Sequence, residues 1–449
     1  LKQHELRRRR PPPQPPMASE PSPARVVELQ GSVGAQELRR FLLSDTCVIL
    51  RGALGSWPHA GGYAARRWTP ESVAADFGAA STTCRLHRHA PAATGEELPE
   101  APLESECSHV AVTVAEFVEW LTLDAVAPAH ALAAYPREKW WGYLDYKHLE
   151  ELCEASGAAP GAKRASSTAD LTAALFVASP SGAGEFGFST GLPLLWLGSA
   201  GATTPTHFDA YSVNVSAQVY GSKRWRLWPA GERPGLRVRR VPFEESSVWL
   251  AGATSAAPAP AVDVTLEAGD ALCVPFQWWH AVHCVSDQSL TLNQWFGHPR
   301  DARARLEEAC VRAVGSSLLR PLLPAEAWLN THYDELLDPD DDMELVARAL
   351  QAASPGDAGA EVNGEADGEA DAEADGERVA VALAEAFMAP RVIAAAVEEL
   401  LARAPLQRRR GRAASSGNGE PPAVRRKLEG SGVVVSSSCE GLETAQGLE

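Results

Sequence analysis

Short apolar runs separated by turn residues dominate the chain from Leu192 onward. They predict strands over 193–197, 213–220, 223–228, 262–266, 271–274, 280–285 and 290–296. Gly221-Ser222 and Gly269-Asp270 stand between consecutive runs, where glycine favours tight turns. Because no long helical pattern separates these runs, the sequence favours an antiparallel sandwich or barrel over a parallel sheet.

Helical periodicity flanks this β region on both sides. Apolar residues recur every three to four positions over 35–43, 114–121, 300–319 and 378–403. Pro390 predicts a break within the last of these segments. A short apolar run from Cys47 to Leu50 predicts one more strand near the start. The predicted fold is therefore mainly β with flanking helices.

These patterns divide the chain into segments. They are a disordered leader over 1–25, a β-rich domain over 26–299, helices over 300–356, an acidic linker over 357–377, a helical segment over 378–404 and a disordered basic tail, rich in Ser and Gly, over 405–449. The linker holds nine acidic residues and no basic one, and such composition buries too little surface to fold. The first methionine is Met17, and we expect translation to start there.

Composition narrows the classes of function. Apolar residues make up 45% of the 449 residues and include 13 Trp, enough for a substantial core. The net charge of −17 argues against a nucleic-acid partner, and no stretch is long and apolar enough to predict a membrane span. The eight Cys residues never form C-x-x-C, which predicts reduced thiols and a cytoplasmic location. The Arg-rich run 408–412 leaves a nuclear location open.

A candidate metal site stands in the β region. His207 and Asp209 are two residues apart, so on a strand both side chains would face the same side. His280 on a neighbouring strand would complete two imidazoles and one carboxylate. That donor set leaves three positions open on an octahedral metal, as in non-haem Fe(II) oxygenases. An isolated His-x-Asp also arises by chance, as a surface or hydrogen-bonded histidine.

Other histidines compete for such a role. His283 is three residues from His280, so on a strand the two face opposite sides and only one reaches the metal. The Trp-Trp-His sequence favours His280, and His283 is expected to be an ordinary buried or surface histidine. An upstream group fits no closed tetrahedral zinc pattern; its members are Cys84, His87, His89, Cys107 and His109.

The order of the motifs carries a family resemblance. The motifs are Thr204-Pro-Thr-His207-Phe-Asp209, Asn214, Gly221-Ser-Lys223-Arg-Trp225, Gly269-Asp-Ala-Leu-Cys-Val-Pro275, Trp278-Trp-His280 and Asn293. Together they resemble the JmjC family of Fe(II)- and 2-oxoglutarate-dependent oxygenases. The resemblance spans about 26–299 and implies a double-stranded β-helix, the jelly roll of cupin-like proteins.

The resemblance also implies roles for individual residues. The iron ligands, and with them the catalytic centre, would be His207, Asp209 and His280. Lys223 would pair with the distal carboxylate of the cosubstrate 2-oxoglutarate, a charge-assisted contact. Thr204 and Tyr143 would donate hydroxyl hydrogen bonds to the same carboxylate. Asn214 and Asn293 would lie near the metal-chelating end of the cosubstrate.

Tryptophans surround these motifs. The four concerned are Trp225, Trp278, Trp279 and Trp295. They could wall the cavity, but ordinary barrel core is the expected role of large aromatic side chains in a β fold.

Three further segments, 139–147, 240–248 and 327–330, resemble the JmjC members that associate with a small heat shock protein. The implied function is a protein hydroxylase with an unknown protein substrate and a small heat shock protein partner in stress response. A non-catalytic, chaperone-binding scaffold is the alternative. A histone lysine demethylase is a weaker one, because the sequence has no chromatin-reading Cys/His module. The C-terminal helices would form a homodimer or pack on the barrel.

Overall fold

The computed structural model describes residues 25–56 without 32 and 34, then 68–89, 106–156, 194–230, 259–322, 339–353 and 381–389, with a few single positions besides. Residues Leu1–Ala384 form one compact unit and Glu385–Glu449 a second. Every element named below lies in the first unit. The predicted acidic linker, the basic tail and the leader up to residue 24 lie outside the described residues, as do segments 240–248 and 327–330.

Strands predominate over helices in the described chain. The strands are β1 (Arg25–Gln30), β2 (Thr46–Arg51), β3 (Ser81–Arg88), β4 (Ser108–Thr113), β5 (Trp140–His148), β6 (Leu194–Ser199), β7 (Thr203–His207), β8 (Val213–Tyr220), β9 (Lys223–Trp228), β10 (Val262–Leu266), β11 (Ala271–Val274), β12 (Trp279–Cys284) and β13 (Gln288–Phe296). The helices are α1 (Ala35–Leu42), α2 (Pro70–Phe77), α3 (Val114–Thr122), α4 (Leu149–Ala155), α5 (Asp301–Leu319) and α6 (Pro339–Ala353). Among the described helices, none has the length and apolar character needed to cross a membrane.

The strands form two sheets. The larger has the order β1-β2-β11-β8-β13-β6-β5-β3-β4 and the smaller the order β10-β9-β12-β7. Their pairings are antiparallel except for the parallel pair of β1 and β2 at one edge. The predicted jelly roll of antiparallel strands is confirmed, and the parallel edge pair is a feature that was not predicted.

The two faces of strand β8 belong to two different interior regions, an apolar core and a cavity. Val215 and Ala217 are buried in an apolar core that also contains Phe117 of α3, so this face packs against helices. Asn214 and Ser216 occupy the alternate positions, and successive side chains of a strand point to opposite faces. These polar residues therefore face the smaller sheet, where they line a cavity.

Apolar side chains fill the rest of the space between the sheets. Ile49 and Leu272 come from the larger sheet, and Leu227, Val264 and Trp278 come from the smaller sheet and its connections. Burying such side chains stabilises the fold by roughly 1.5–3 kcal/mol each. This inter-sheet core holds the two sheets at a fixed separation beside the cavity.

Helix α3 is fixed at both ends by hydrogen bonds. At its start, the Thr113 side chain accepts from the Glu116 N–H, and the Glu116 carboxylate accepts from the Thr113 N–H at 2.7 Å. At its end, Arg137 donates to the carbonyls of Leu121 and Leu123, both at 2.6 Å. Between these ends, Phe117 packs in the apolar core that covers one face of the larger sheet.

Candidate metal and cosubstrate site

A cavity lies between the two sheets, beside the inter-sheet core. Its lining residues are Tyr143, Tyr146, Trp196, Thr204, Pro205, His207, Asp209, Asn214, Ser216, Lys223, Trp225, His280, Val282, Thr291, Asn293 and Trp295. The larger sheet contributes β5, β6, β8 and β13, and the smaller sheet contributes β7, β9 and β12. All eight site residues predicted from the sequence thus line one cavity, while their roles remain predictions.

Strand pairing brings two histidines together. His280 of β12 lies directly opposite His207 of β7 in the antiparallel register. Their ring centroids are 4.1 Å apart. The ligand atoms of His207, His280 and Asp209 all lie within 4.8 Å of one another, and this is the one group found among the described residues that can hold a metal ion.

Hydrogen bonds to backbone carbonyls set the tautomer of both histidines. Nδ1 of His207 contacts the Pro205 oxygen at 2.8 Å, and Nδ1 of His280 contacts the Trp278 oxygen at 3.0 Å. A carbonyl oxygen only accepts, so Nδ1 carries the proton and Nε2 keeps its lone pair for a metal. Burial, and then the neighbouring His207, lowers the pKa of His280, which keeps this imidazole in the neutral, ligating form.

Asp209 reaches the site differently from the prediction. Strand β7 ends at His207, so Asp209 lies in the connection that follows and not on the strand, and the alternation argument is wrong for it. Its Oδ2 accepts a hydrogen bond from Nδ2 of Asn214 at 3.2 Å. The carboxylate is therefore oriented by β8, and one of its oxygens is left for a metal.

A chain of hydrogen bonds extends from this carboxylate across the larger sheet. Nδ2 of Asn293 donates to Oδ1 of Asn214 at 3.3 Å, and Nε1 of Trp196 donates to Oδ1 of Asn293 at 2.6 Å. The Ser216 hydroxyl also donates to Oδ1 of Asn214, at 3.0 Å. Because each amide oxygen is engaged, the orientation of the Asn214 amide toward Asp209 is fixed.

Replacing Trp196 with phenylalanine tests this chain. Trp196→Phe keeps an aromatic ring on β6 but removes the donor to Asn293, so the amides can reorient. We expect metal affinity to fall roughly tenfold, the lower end of the range for groups that orient metal ligands. A Co(II) titration measures it. The matched control is Trp120→Phe, which removes an indole hydrogen bond to the Tyr135 carbonyl, and neither of these residues lines the cavity. An equal loss of metal affinity in both variants would argue against the chain of hydrogen bonds.

A buried ammonium group also lines the cavity. Lys223 is 1% exposed, and its Nζ donates to the Tyr143 hydroxyl at 3.1 Å and to the Trp196 carbonyl at 3.2 Å. The Tyr143 hydroxyl is also hydrogen-bonded to Thr204. Both partners of Nζ are neutral, and among the described residues no carboxylate forms a salt bridge with Lys223. Burial therefore lowers the pKa of Lys223 to about 8.

This depressed pKa predicts a pH-dependent stability. The unfolded chain holds the Lys223 proton up to its ordinary pKa of 10.5, whereas the folded protein releases it near 8. The buried charge therefore lowers the free energy of unfolding below pH 8. As pH rises from 8 to 10, this loss of stability becomes smaller by about 2 kcal/mol. Lys223→Met has no such loss, so its stability advantage over the wild type should shrink across that interval.

Urea unfolding of both proteins at several pH values measures this difference. Burial raises the pKa of Cys284 and the neighbouring Lys223 lowers it, so both proteins carry Cys284→Ser in this comparison. A thiol such as Cys273, whose pKa is raised by burial, titrates alike in both proteins and cancels. A stability difference that stays constant from pH 7 to 10 would contradict a charged Lys223 in the fold.

Several residues that line the cavity were not predicted from the sequence. Trp196, Ser216 and Thr291 were not identified, although strand periodicity could have found two of them. Ser216 is two residues from Asn214 on β8, and Thr291 is two residues from Asn293 on β13, so each pair shares a face. For Trp196 the sequence offers no comparable neighbour on β6.

The structure places the competing histidine and the tryptophans at different positions relative to the cavity. His283 is not among the described residues that line the cavity, as expected for the opposite face of β12. Trp278 lies in the inter-sheet core, and Trp279 packs on Phe208 with ring centroids 4.7 Å apart. Trp225 belongs to this core as expected and also lines the cavity. Trp295 lines the cavity and is not a member of that core, which corrects the expectation for this residue.

The part of the chain that matches a known family is close to the range 26–299 that the motifs indicated. Residues 34–302, more than half of the chain, match the family model described as a cupin-like domain. The chain belongs to this family. The cupin-like domain contains every residue that lines the cavity, and the resemblance to JmjC proteins drawn from the motifs is confirmed.

Several curated proteins are similar to part of this chain. HSPB1-associated protein 1 homolog of Danio rerio is 31% identical over 270 residues, covering 56% of this chain and 55% of that protein. Human HSPB1-associated protein 1 is 33% identical over 238 residues, covering 51% and 46%. Human 2-oxoglutarate and iron-dependent oxygenase JMJD4 is 32% identical over 108 residues, covering 22% and 26%. The chain spans about half the length of the first of these relatives.

Proposed function

We propose that this protein is an Fe(II)- and 2-oxoglutarate-dependent oxygenase that hydroxylates a protein. The observation that carries the proposal is the pairing, in one cavity, of a His-Asp-His donor set with a buried ammonium that lacks a salt bridge among the described residues. The first suits a divalent metal with open positions, and the second suits an anionic ligand. A cosubstrate with a carboxylate at each end needs both.

The residues present fit these two groups. His207, His280 and Asp209 would hold Fe(II) through two Nε2 atoms and one carboxylate oxygen. When bound, Fe(II) with 2-oxoglutarate and dioxygen supplies oxidation of an unactivated C–H bond, coupled to decarboxylation of the cosubstrate to succinate and CO₂. The donor set has two neutral imidazoles and one anion, so a divalent cation keeps net positive charge there and attracts the anionic cosubstrate.

The chain's own residues bind and orient the cosubstrate. Lys223 would donate to its distal carboxylate, and the hydroxyls of Tyr143 and Thr204, already within hydrogen-bonding reach of each other, would add neutral donors. Burial raises the pKa of Tyr143, so the phenol stays protonated and able to donate. Asn214 and Asn293 would hold the chelating end near the metal.

Aromatic side chains close the cavity on the side of the larger sheet. Tyr146 packs edge-on against Trp196 with centroids 5.1 Å apart and lies 5.5 Å from Trp295. Such a wall excludes water and positions a substrate side chain beside the metal. This apolar surface is consistent with an aliphatic or aromatic C–H substrate.

The experiment that tests the function measures succinate. Purified protein with Fe(II) and 2-oxoglutarate should form succinate, and addition of cell extract should raise the rate. Proteins trapped on Asp209→Ala should then be searched by mass spectrometry for added oxygen that appears only with the active enzyme. Absence of Fe(II)-dependent succinate with every extract would contradict catalysis.

The names of the relatives favour a second role, binding of a small heat shock protein. HSPB1-associated protein 1 is named for such an association, and we propose the same class of partner here, in cellular stress response. Co-elution of the purified proteins on gel filtration tests it. If complex formation occurs without succinate formation, the protein is a chaperone-binding scaffold and not an oxygenase.

A further inference from the structure

Residues other than glycine that adopt left-handed backbone lie in or close in sequence to the residues of the cavity. Among the described residues, three that are not glycine have positive φ: Tyr146 at 58°, Ser212 at 68° and Gln277 at 57°. Tyr146 lines the cavity, Ser212 follows Asp209 by three residues, and Gln277 precedes His280 by three. Such conformations are unfavourable for L-residues and persist at functional sites where surrounding contacts hold them.

Two of these residues act on the same short stretch, residues 208–212, here called the Asp209 segment. The Ser212 N–H donates to Oδ1 of Asp301 at 2.7 Å. Nε2 of Gln277 donates to the Ala210 carbonyl at 3.0 Å. These contacts come from outside the segment, one from the first residue of α5 and the other from the connection between β11 and β12.

Asp301 has several partners that fix its own position. Its Oδ2 accepts from the His298 N–H at 2.7 Å and lies 3.4 Å from the Ser212 hydroxyl. One turn further along α5, the Arg305 guanidinium lies 3.7 Å from the centroid of the Tyr211 ring. The first two turns of α5 therefore contact the Asp209 segment at two successive residues, Tyr211 and Ser212.

We propose that Asp301 and Gln277 are positioning residues that set the place of the Asp209 carboxylate in the metal site. Asp209 lies past the end of β7, so strand geometry does not determine where its side chain points. The charge-assisted hydrogen bond from Ser212 holds the left-handed turn that closes the segment, and Gln277 holds its middle. The inference rests on the metal site of the proposed function.

Metal affinity tests the proposal without reference to turnover. The probe is Co(II), titrated against full-length wild type, Asp301→Ala and Asp301→Asn while ligand-field absorption is recorded. We expect Asp301→Ala to bind Co(II) roughly tenfold more weakly, with a changed spectrum. Asp301→Asn keeps one acceptor oxygen for Ser212, so its Co(II) affinity should fall only about threefold, which is half of the tenfold effect on a logarithmic scale.

Two controls separate positioning from general destabilisation. Asp45→Ala removes an exposed ion pair with Arg300, the residue next to Asp301, without contacting the Asp209 segment. Asp342→Asn disrupts a buried ion pair with Arg312 between α5 and α6. Both should bind Co(II) as the wild type does, although Asp342→Asn should melt at a lower temperature. An equal loss of affinity in Asp342→Asn would overturn the proposal.

Gln277→Asn provides an independent variant should Asp301→Ala fail to fold. Asparagine tolerates left-handed backbone, but its shorter side chain ends before the Ala210 carbonyl. It should fold and bind Co(II) severalfold more weakly. Wild-type affinity and spectrum in the folded variants would overturn this inference alone, whereas a wild type that binds no Co(II) would overturn it together with the proposed function.

Discussion

Asp209→Ala is expected to weaken Fe(II) binding at least about 100-fold and to abolish succinate formation. Loss of a group that merely orients a ligand costs 10- to 100-fold in metal affinity, so loss of the ligand itself costs more. The substitution also removes the site's one anion, leaving two neutral imidazoles facing a divalent cation. An anaerobic Fe(II) titration and a succinate assay measure the two effects.

The matched control for this variant is Asp263→Ala. Asp263 forms a partly exposed ion pair with Arg224 on the smaller sheet and does not line the cavity. Its loss should change stability by less than about 1 kcal/mol and leave Fe(II) affinity unchanged. Succinate formation by Asp209→Ala at the wild-type rate would show that these three residues are not the metal site.

Lys223→Met is expected to raise the KM for 2-oxoglutarate about 100-fold while leaving Fe(II) affinity unchanged. Methionine fills a similar volume but presents no charge to the distal carboxylate. Truncating one member of a buried, hydrogen-bonded charge pair costs 2–5 kcal/mol, and about 2.7 kcal/mol corresponds to the expected 100-fold change. Steady-state kinetics with varied 2-oxoglutarate measure it.

Lys147→Met serves as the comparison for Lys223→Met. Lys147 is a partly buried lysine on β5, and burial lowers its pKa as well, but its side chain does not line the cavity. Its loss should leave the KM for 2-oxoglutarate near the wild-type value. If both variants show the same KM, or if neither changes it, Lys223 is not the carboxylate-binding residue.

The sequence predicts the second half of the fold better than the first. Strands β8, β9, β10 and β11 begin and end at the predicted residues, because continuous apolar runs and glycine turns mark them. Strand β3 reads Ser-Thr-Thr-Cys-Arg-Leu-His-Arg, so polar and charged residues stand at positions where an alternating strand would have apolar ones. No strand was predicted there. The burial of β3 depends on partners such as Asp145, which contacts Arg85 at 2.7 Å and is 60 residues away in the chain.

The residues of the candidate site also differ in how far their positions could be predicted from the sequence. The resemblance to the JmjC family brought His207 and His280 together, although β7, which carries His207, was not among the predicted strands. The position of Asp209 could not be predicted, because it depends on Asn214, Gln277 and Asp301, which lie in three different elements. Long-range contacts of this kind leave no periodic pattern in a single sequence.

The most direct test of the account is a crystal structure of the protein with Mn(II) and 2-oxoglutarate, using the anomalous signal of manganese to locate the metal. We predict one peak between Nε2 of His207, Nε2 of His280 and the Asp209 carboxylate, with the distal carboxylate of 2-oxoglutarate bound by Lys223. A peak elsewhere, or 2-oxoglutarate bound away from Lys223, would contradict the account.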